Sequence, residues 1–300
     1  FCMLLYTLEF SHAVFAIFIL PDIVFGFLIV LSVWCVIYGI DKKRSVVGCL
    51  GAVCINLALL VKPTLMYWNI LLCLLLAAGA LLKKFEWKPC ACYLLAFVCL
   101  FGGWSLRNYR ETGYFLFSNI RYVQFFRWDG PELKVRVEGI SGEEALGQFR
   151  EELRNRYGIP YSDADLWDMD VAAKEKEIGN EYVSSHMAGY FMMNVEGLLH
   201  LLFRADGKYF ESVFHSGMLR KCFSGVTVLT LAAVYFLYAA GFLSSLKRQN
   251  RIDWGILLLC MYLMAGTASL GNSRYRFAFL PLVILGMAGS WRHSTLLEER

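Results

Sequence analysis

The stretch PDIVFGFLIVLSVWCVIYGIDKKR, residues 21–44, decides the fold of this chain. Most of it is an uninterrupted apolar run, close to the ~20 residues that an α-helix needs to cross the hydrocarbon core of a membrane. It ends in a short basic segment, residues 41–44. Because a helix pairs all of its backbone groups internally, such a run can lie in lipid. The stretch therefore predicts a membrane span followed by a basic loop.

The composition shows that this pattern is general. Hydrophobic residues make up 58% of the chain and charged residues 18%, against roughly 45–50% and 25% in soluble domains. The mean hydropathy is +0.49. We predict a mainly α, polytopic transmembrane helix bundle of about eight spans, at residues 2–20, 22–40, 45–61, 64–82, 89–106, 222–243, 254–270 and 276–291.

The short loops indicate the orientation. The segments 41–44, 83–88 and 247–251 are basic, and with eight spans all three fall on one side. The positive-inside rule makes that side cytoplasmic. Residues 107–221 then form one large external loop domain between the membrane segments 1–106 and 222–300. The apolar segment 187–203 is an alternative ninth span, but it also carries polar residues, and we predict a helix lying in the outer interface.

The external loop has the pattern of a small mixed α/β domain. Ser141 with Glu144 forms a capping box before a helix that ends at Gly158, and Ser162 with Asp165 starts a second helix in the same way. Residues 114–117 and 134–137 read as short strands on either side of the turn at 129–131.

The polar residues near the spans suggest a site. They gather at the predicted external span ends: Asp22, Lys62, Arg107, Arg274 and Arg276. Four cations and one carboxylate suit a lipid whose phosphate lies at that level, because guanidinium and ammonium groups bind phosphate oxygens. In the alternative interpretation the cations are interfacial anchors, and Asp22 caps its helix.

Four stretches resemble one family. WSLRNY at 104–109 with the Gly113 and Ser118-Asn119 that follow, RYRFAFLP at 274–281, PD at 21–22 and LVKP at 60–63 are similar to segments of bacterial dolichyl-phosphate-mannose protein mannosyltransferase-like glycosyltransferases. These belong to the GT-C superfamily, and the order of the segments fits its fold.

The resemblance implies a function. Such enzymes take a sugar from a polyprenyl-phosphate donor and pass it to a lipid, glycan or protein acceptor on the outer membrane face. It implies donor-phosphate contacts by Arg274, Arg276, Lys62 and Arg107, and an accessory catalytic role for Asp22. The family's principal catalytic carboxylate lies on an early external loop, and since Phe1 falls inside an apolar run, we expect that part to be missing.

Other classes receive less support. The pairs Asp163/Asp165 and Asp168/Asp170 have D-x-D spacing, but a helix amino terminus explains them without a metal. We therefore expect no metal and no cofactor. The basic residues lie in the predicted cytoplasmic turns, which indicates topology and not nucleic-acid binding. An envelope-polysaccharide polymerase or ligase, a lipid-linked sugar transporter and an accessory subunit remain alternative functions.

Overall fold

The computed structural model describes residues 2–17, 21–83, 86–161, 168–205, 211, 213, 215–246 and 251–298. Every regular element in these ranges is helical. By contact the chain forms two compact units, one of residues 1–100 with 198–300 and one of residues 101–197. We refer to them as the membrane unit and the loop unit.

The membrane unit begins with two short helices, and longer ones follow. The helices α1 to α6 occupy Cys2–Thr7, Phe10–Ile17, Pro21–Asp41, Ser45–Val61, Met66–Leu81 and Trp87–Phe97, and one 3-10 turn, Pro63–Leu65, precedes α5. The predicted single span over residues 2–20 is wrong, because the chain breaks between α1 and α2 at Leu8 and Glu9. At this break Glu9 pairs with Arg276 and accepts a hydrogen bond from the backbone N–H of His12. In a continuous helix that N–H would donate to the carbonyl oxygen of Leu8 instead.

The described residues of the loop unit contain six helices or parts of helices. A π-helical turn, Val98–Gly102, joins α6 to α7 (Gly103–Thr112), and a second, Phe125–Asp129, joins α8 (Ile120–Gln124) to α9 (Gly130–Glu138). The helices α10 (Gly142–Tyr157), α11 (Met169–Ser185) and α12 (Met187–Phe203) follow, and α12 ends in the membrane unit. The remaining helices are α13 (Gly217–Leu246), α14 (Arg251–Ala265) and α15 (Arg276–Glu298).

Four helical segments are long and apolar enough to cross a membrane: Pro21–Asp41, Pro63–Leu81, Trp87–Thr112 and Gly217–Leu243. Two shorter apolar helices, Ser45–Val61 and Ile252–Ala265, accompany them. The prediction of a mainly α fold with apolar helices of membrane-spanning length is confirmed. The described residues reach four such helices and not eight, since several predicted spans form helices that are too short or are interrupted.

The predicted strands are wrong. Residues 114–117 are irregular, and residues 134–137 lie inside α9. Gly113 ends α7 with a φ of 77°. Pro131 lies in the first turn of α9, and this helix directly follows the π-helical turn Phe125–Asp129. The chain is therefore helical where the sequence pattern predicted a hairpin turn. The mixed α/β loop domain is therefore an all-helical one over its described residues.

The loop unit has its own core. Phe126, Phe149, Leu153 and Ile178 pack together from the π-helical turn, α10 and α11. The N-cap half of the predicted capping box is present, because the N–H of Glu144 donates to Ser141 Oγ at 3.1 Å. Helix α11 begins at Met169, capped by Asp168, and the predicted cap at Ser162 and Asp165 lies outside the described residues.

Candidate functional site

Asp22 and Lys62 form the centre of the candidate site. Asp22 lies in the first turn of α3, directly after Pro21, and is 3% exposed. Lys62 is the residue between the end of α4 and the 3-10 turn at Pro63. Its Nζ donates to Asp22 Oδ1 and forms an ion pair with it. The ion pair thus joins the start of α3 to the end of α4.

Two more side chains of the site come from the segment before α15. Lys62 Nζ lies 4.4 Å from the centre of the Tyr275 ring, and the Arg274 guanidinium carbon lies 4.9 Å from the same ring. Arg274 Nη2 also donates to Tyr275 Oη at 2.9 Å. Both cations therefore lie against one aromatic ring, which attracts positive charge. Lys62, Arg274 and Tyr275 are all partly exposed.

A short 3-10 turn, Ser273–Tyr275, holds Arg274 and Tyr275 in place. Asn272 caps this turn, because its side-chain oxygen accepts from the backbone N–H of Arg274 at 3.0 Å. Gly271 before it has a φ of 54°, which a glycine adopts without strain. The sequence NSRYR thus encodes a capped turn that leads directly into α15.

Gly26 allows the helix that carries Asp22 to approach this turn. A Cβ atom on Gly26 would lie 2.4 Å from the carbonyl oxygen of Phe277, closer than packed atoms come. Gly26 is one helical turn beyond Asp22 and therefore on the same face of α3. The absence of a side chain at position 26 thus brings Asp22 to the start of α15. No pattern in the sequence singled out Gly26.

Arg276 has a different environment from Arg274. Its side chain is fully buried. Nη1 donates to the carbonyl oxygens of Leu201 at 3.0 Å and Arg204 at 2.8 Å, while Nη2 donates to Glu9 Oε1 at 2.9 Å and Ser11 Oγ at 2.8 Å. Four of its five donors are therefore used inside the protein. The geometry favours a supporting role over direct contact with a ligand.

Glu9 and His12, whose role the sequence did not reveal, belong to the same buried cluster. Glu9 Oε2 accepts from the backbone N–H of His12 at 2.9 Å, and the His12 ring lies 4.1 Å from the ring of Phe277. Glu9 thus caps the first turn of α2 while it pairs with Arg276. Charged residues inside an apolar run were the available signal, but their partner lies 267 positions away in sequence.

Arg107 lies in the loop unit and is exposed. Its Nη1 donates to Asn108 Oδ1 at 3.1 Å. The neighbouring residues of its motif fix the segment that follows α7, because Trp104 Nε1 and Asn108 Nδ2 both donate to the carbonyl oxygen of Phe117, at 3.1 and 3.2 Å. In the structure, Trp104 and Asn108 have a local structural role.

The acidic pairs have ordinary partners where the structure describes them. Asp168 Oδ1 accepts from the N–H groups of Asp170 and Val171 at the start of α11, and Asp163 and Asp165 lie outside the described residues. Glu196 pairs with Arg136. Among the described residues, the structure brings no three His, Cys, Asp or Glu side chains together in a way that would hold a metal ion.

The site that the structure brings together is small and cationic. Lys62 and Arg274 supply two positive charges and Asp22 supplies one negative charge, so the formal net charge of these groups is +1. Partly exposed cations of this kind can bind one anionic group, with Tyr275 as a ring and hydroxyl partner. Comparisons with known protein families, with characterised proteins and with solved structures found no match.

Proposed function

We propose that the chain is a GT-C type membrane glycosyltransferase that transfers a sugar from a polyprenyl-phosphate donor to an acceptor on the outer membrane face. One observation supports the proposal most. Three of the four sequence stretches that carry the family resemblance, at 21–22, 60–63 and 274–281, meet through Asp22, Lys62 and Tyr275. Residues that are distant in sequence thus form one partly exposed cationic site.

The chemistry that this site would support is displacement at the anomeric carbon of the donor sugar. The bond between that carbon and the phosphate oxygen breaks, and the acceptor oxygen or nitrogen forms the new bond while a base takes its proton. Lys62 and Arg274 would stabilise the negative charge on the departing phosphate. Asp22 would hold Lys62 in position, and its carboxylate is occupied by that pair, so we assign it an accessory role.

Arg276 and Arg107, the other two predicted phosphate ligands, have different environments. The burial of Arg276 and its four donated bonds favour a role in holding the segment that carries Arg274. Arg107 is an exposed residue of the loop unit, and its contact with the donor remains a prediction from the resemblance.

The finer topology is part of the proposal. We infer eight membrane-crossing segments in a bacterial cytoplasmic membrane, the first of them interrupted at Leu8 and Glu9, with residues 107–221 outside the cytoplasm. The four long apolar helices, the two shorter ones and the basic segments 41–44, 83–88 and 247–251 support it. In this arrangement the donor site would face the side on which lipid-linked sugars of this class are used.

The decisive experiment is sugar transfer by the purified protein in liposomes. A radiolabelled polyprenyl-phosphate sugar should label an acceptor, and a nucleotide sugar should not. Labelling from the nucleotide sugar, or transfer that is unchanged when both Lys62 and Arg274 are replaced by glutamine, would contradict the proposal. Release of a whole glycan chain on transfer would favour a polymerase or ligase, and movement of the donor across the bilayer without transfer would favour a transporter.

A further inference from the structure

The charged pair Glu9–Arg276 connects three separate parts of the membrane unit. Glu9 lies at the break between α1 and α2, and Ser11 lies in the first turn of α2. The carbonyl of Leu201 belongs to the last turn of α12 and that of Arg204 directly follows it, while Arg276 is the first residue of α15. One guanidinium group therefore holds a helix start, a helix break and a helix end together.

Each of these contacts satisfies a group that would otherwise be costly. The last carbonyls of a helix have no partner within the helix, and they carry the negative end of its dipole. A cation that donates to Leu201 O and Arg204 O supplies the missing hydrogen bonds and also balances the negative end of the dipole. Glu9 is 1% exposed, so its charge needs a partner inside the protein. Arg276 meets both needs because its planar group presents several donors in fixed directions.

The pair lies next to the candidate donor site along the chain. Arg274 and Tyr275 directly precede Arg276, and they are held on the other side by the Asn272 cap. Phe277, which follows, is packed between His12 and the backbone of Gly26. The short turn 273–275 is therefore fixed at both of its ends, and the Glu9–Arg276 pair provides the fixed end toward α15.

We infer that Glu9 and Arg276 are positioning residues, and that their pairing holds the turn 273–275 so that Arg274 and Tyr275 lie against Lys62. This inference rests on the proposed function, since it assigns a purpose to the fixed turn at the donor-phosphate site. It distinguishes the two arginines of the motif. Arg274 contacts the ligand, and Arg276 determines where Arg274 lies.

The test uses Glu9→Gln in the intact protein in detergent. Glutamine has nearly the same shape as glutamate but cannot neutralise Arg276. We expect normal membrane insertion and roughly 10- to 100-fold weaker binding of farnesyl phosphate per mole of folded protein, the loss expected when one charge-assisted hydrogen bond from Arg274 to the phosphate is not formed. We also expect faster trypsin cleavage after Arg204, since Arg276 without the Glu9 charge is held less firmly against the Arg204 carbonyl.

Two further variants make the result specific. Glu211→Gln is the matched control, because Glu211 pairs with Arg220 at the surface, and we expect it to change neither measurement. Glu9→Asp keeps the charge with a shorter reach, and we expect intermediate binding. If Glu9→Gln fails to insert, Glu9→Asp decides, and unchanged binding and cleavage in that variant would overturn the inference.

The outcomes separate this inference from the proposed function. Wild-type protein that does not bind farnesyl phosphate would contradict the proposed donor site, and the cleavage rate after Arg204 would still test whether the pair holds the end of α12. Wild-type binding with Glu9→Gln affinity and cleavage both unchanged would overturn the inference alone. A loss of binding that only follows the loss of folded protein would also overturn it, because a purely structural pair predicts that result.

Discussion

At the residue scale, exposure separates the charged residues that can meet a ligand from those that support the fold. Lys62 and Arg274 are partly exposed, whereas Arg276 and Glu9 are buried and paired. In the sequence alone, a cation that binds a ligand and a cation that supports the fold look identical when each lies at the end of a span. The difference comes from tertiary packing, which brings Glu9 to Arg276 and leaves Arg274 at the surface.

Lys62→Met should weaken binding of farnesyl phosphate by about 10- to 100-fold, because one charge-assisted hydrogen bond contributes about 1.5–3 kcal/mol. Isothermal titration in detergent measures the change. Lys42→Met is the control, since Lys42 also pairs with an aspartate, Asp41, but at an exposed surface. Equal effects of the two changes would show that the loss is one of overall charge and not of the site.

Gly26→Ala should separate α3 from the start of α15, because the new Cβ would lie 2.4 Å from Phe277 O. We expect a lower melting temperature and weaker farnesyl phosphate binding. Gly225→Ala in α13 is the control, as the space around Gly225 is open, and alanine is favoured over glycine in a helix by about 1 kcal/mol. A Gly26→Ala protein as stable as the Gly225→Ala protein would contradict the close approach of the two backbones.

At the element scale, the loop unit depends on one buried ion pair in a π-helical turn. Arg127 donates to Glu175 through Nε at 2.9 Å and Nη2 at 2.7 Å, and Glu175 is fully buried. This bidentate geometry joins the π-helical turn to α11. No sequence pattern indicated this ion pair, because a π-helical turn has no simple periodicity and the two residues are 48 positions apart.

Arg127→Met should destabilise the loop unit by about 3–5 kcal/mol, since it leaves the Glu175 charge buried without its partner. Cleavage within residues 101–197 by a protease in the intact protein should become faster. Arg156→Met is the control, because Arg156 pairs with Glu152 and Glu181 at the surface, and exposed pairs contribute about 0–1 kcal/mol. Similar cleavage of both variants would contradict a dominant role for the buried pair.

Helix α12 presents an apolar face outward. Phe191, Met192 and Leu199 are 66%, 63% and 54% exposed, whereas Met193 is buried. We predict that this face lies in the membrane interface, as its sequence indicated. A photoreactive lipid should therefore crosslink to positions 191, 192 and 199 and not to 193. Equal crosslinking at 193 would favour a true span, which lipid surrounds on all sides.

At the scale of the whole molecule, the apolar runs predicted the helices well. The run 45–61 is helix α4 with the same bounds, and the runs at 22–40 and 222–243 lie inside α3 and α13. Runs of this length leave the backbone no alternative to a helix in lipid. The break at Glu9 could not be predicted, because it depends on Arg276, a partner far away in the chain. The helical loop unit could not be predicted either, because Pro131, a residue typical of turns, lies in the first turn of α9.

The proposed topology rests on the basic loops and is testable on the intact protein. An impermeant reagent should label a cysteine introduced at position 150 from outside, in a protein whose native cysteines are replaced. Positions 43 and 249 should be labelled only after the membrane is made permeable, since basic loops stay in the cytoplasm. Labelling of 249 from outside would show that 187–203 crosses the membrane.

The contact at Gly26 also bears on how a lipid could reach the site. Two helix backbones that touch without side chains between them have no layer of flexible atoms to absorb motion. We therefore expect α3 and the start of α15 to move as one body. Access for a bulky prenyl chain then requires another moving part. The connection at Lys62 and Pro63, which leads from α4 into the 3-10 turn before α5, carries the other half of the Asp22 ion pair. The connection at Lys62 and Pro63 would then act as the gate, and the contact at Gly26 would hold the rest of the site still while the gate opens.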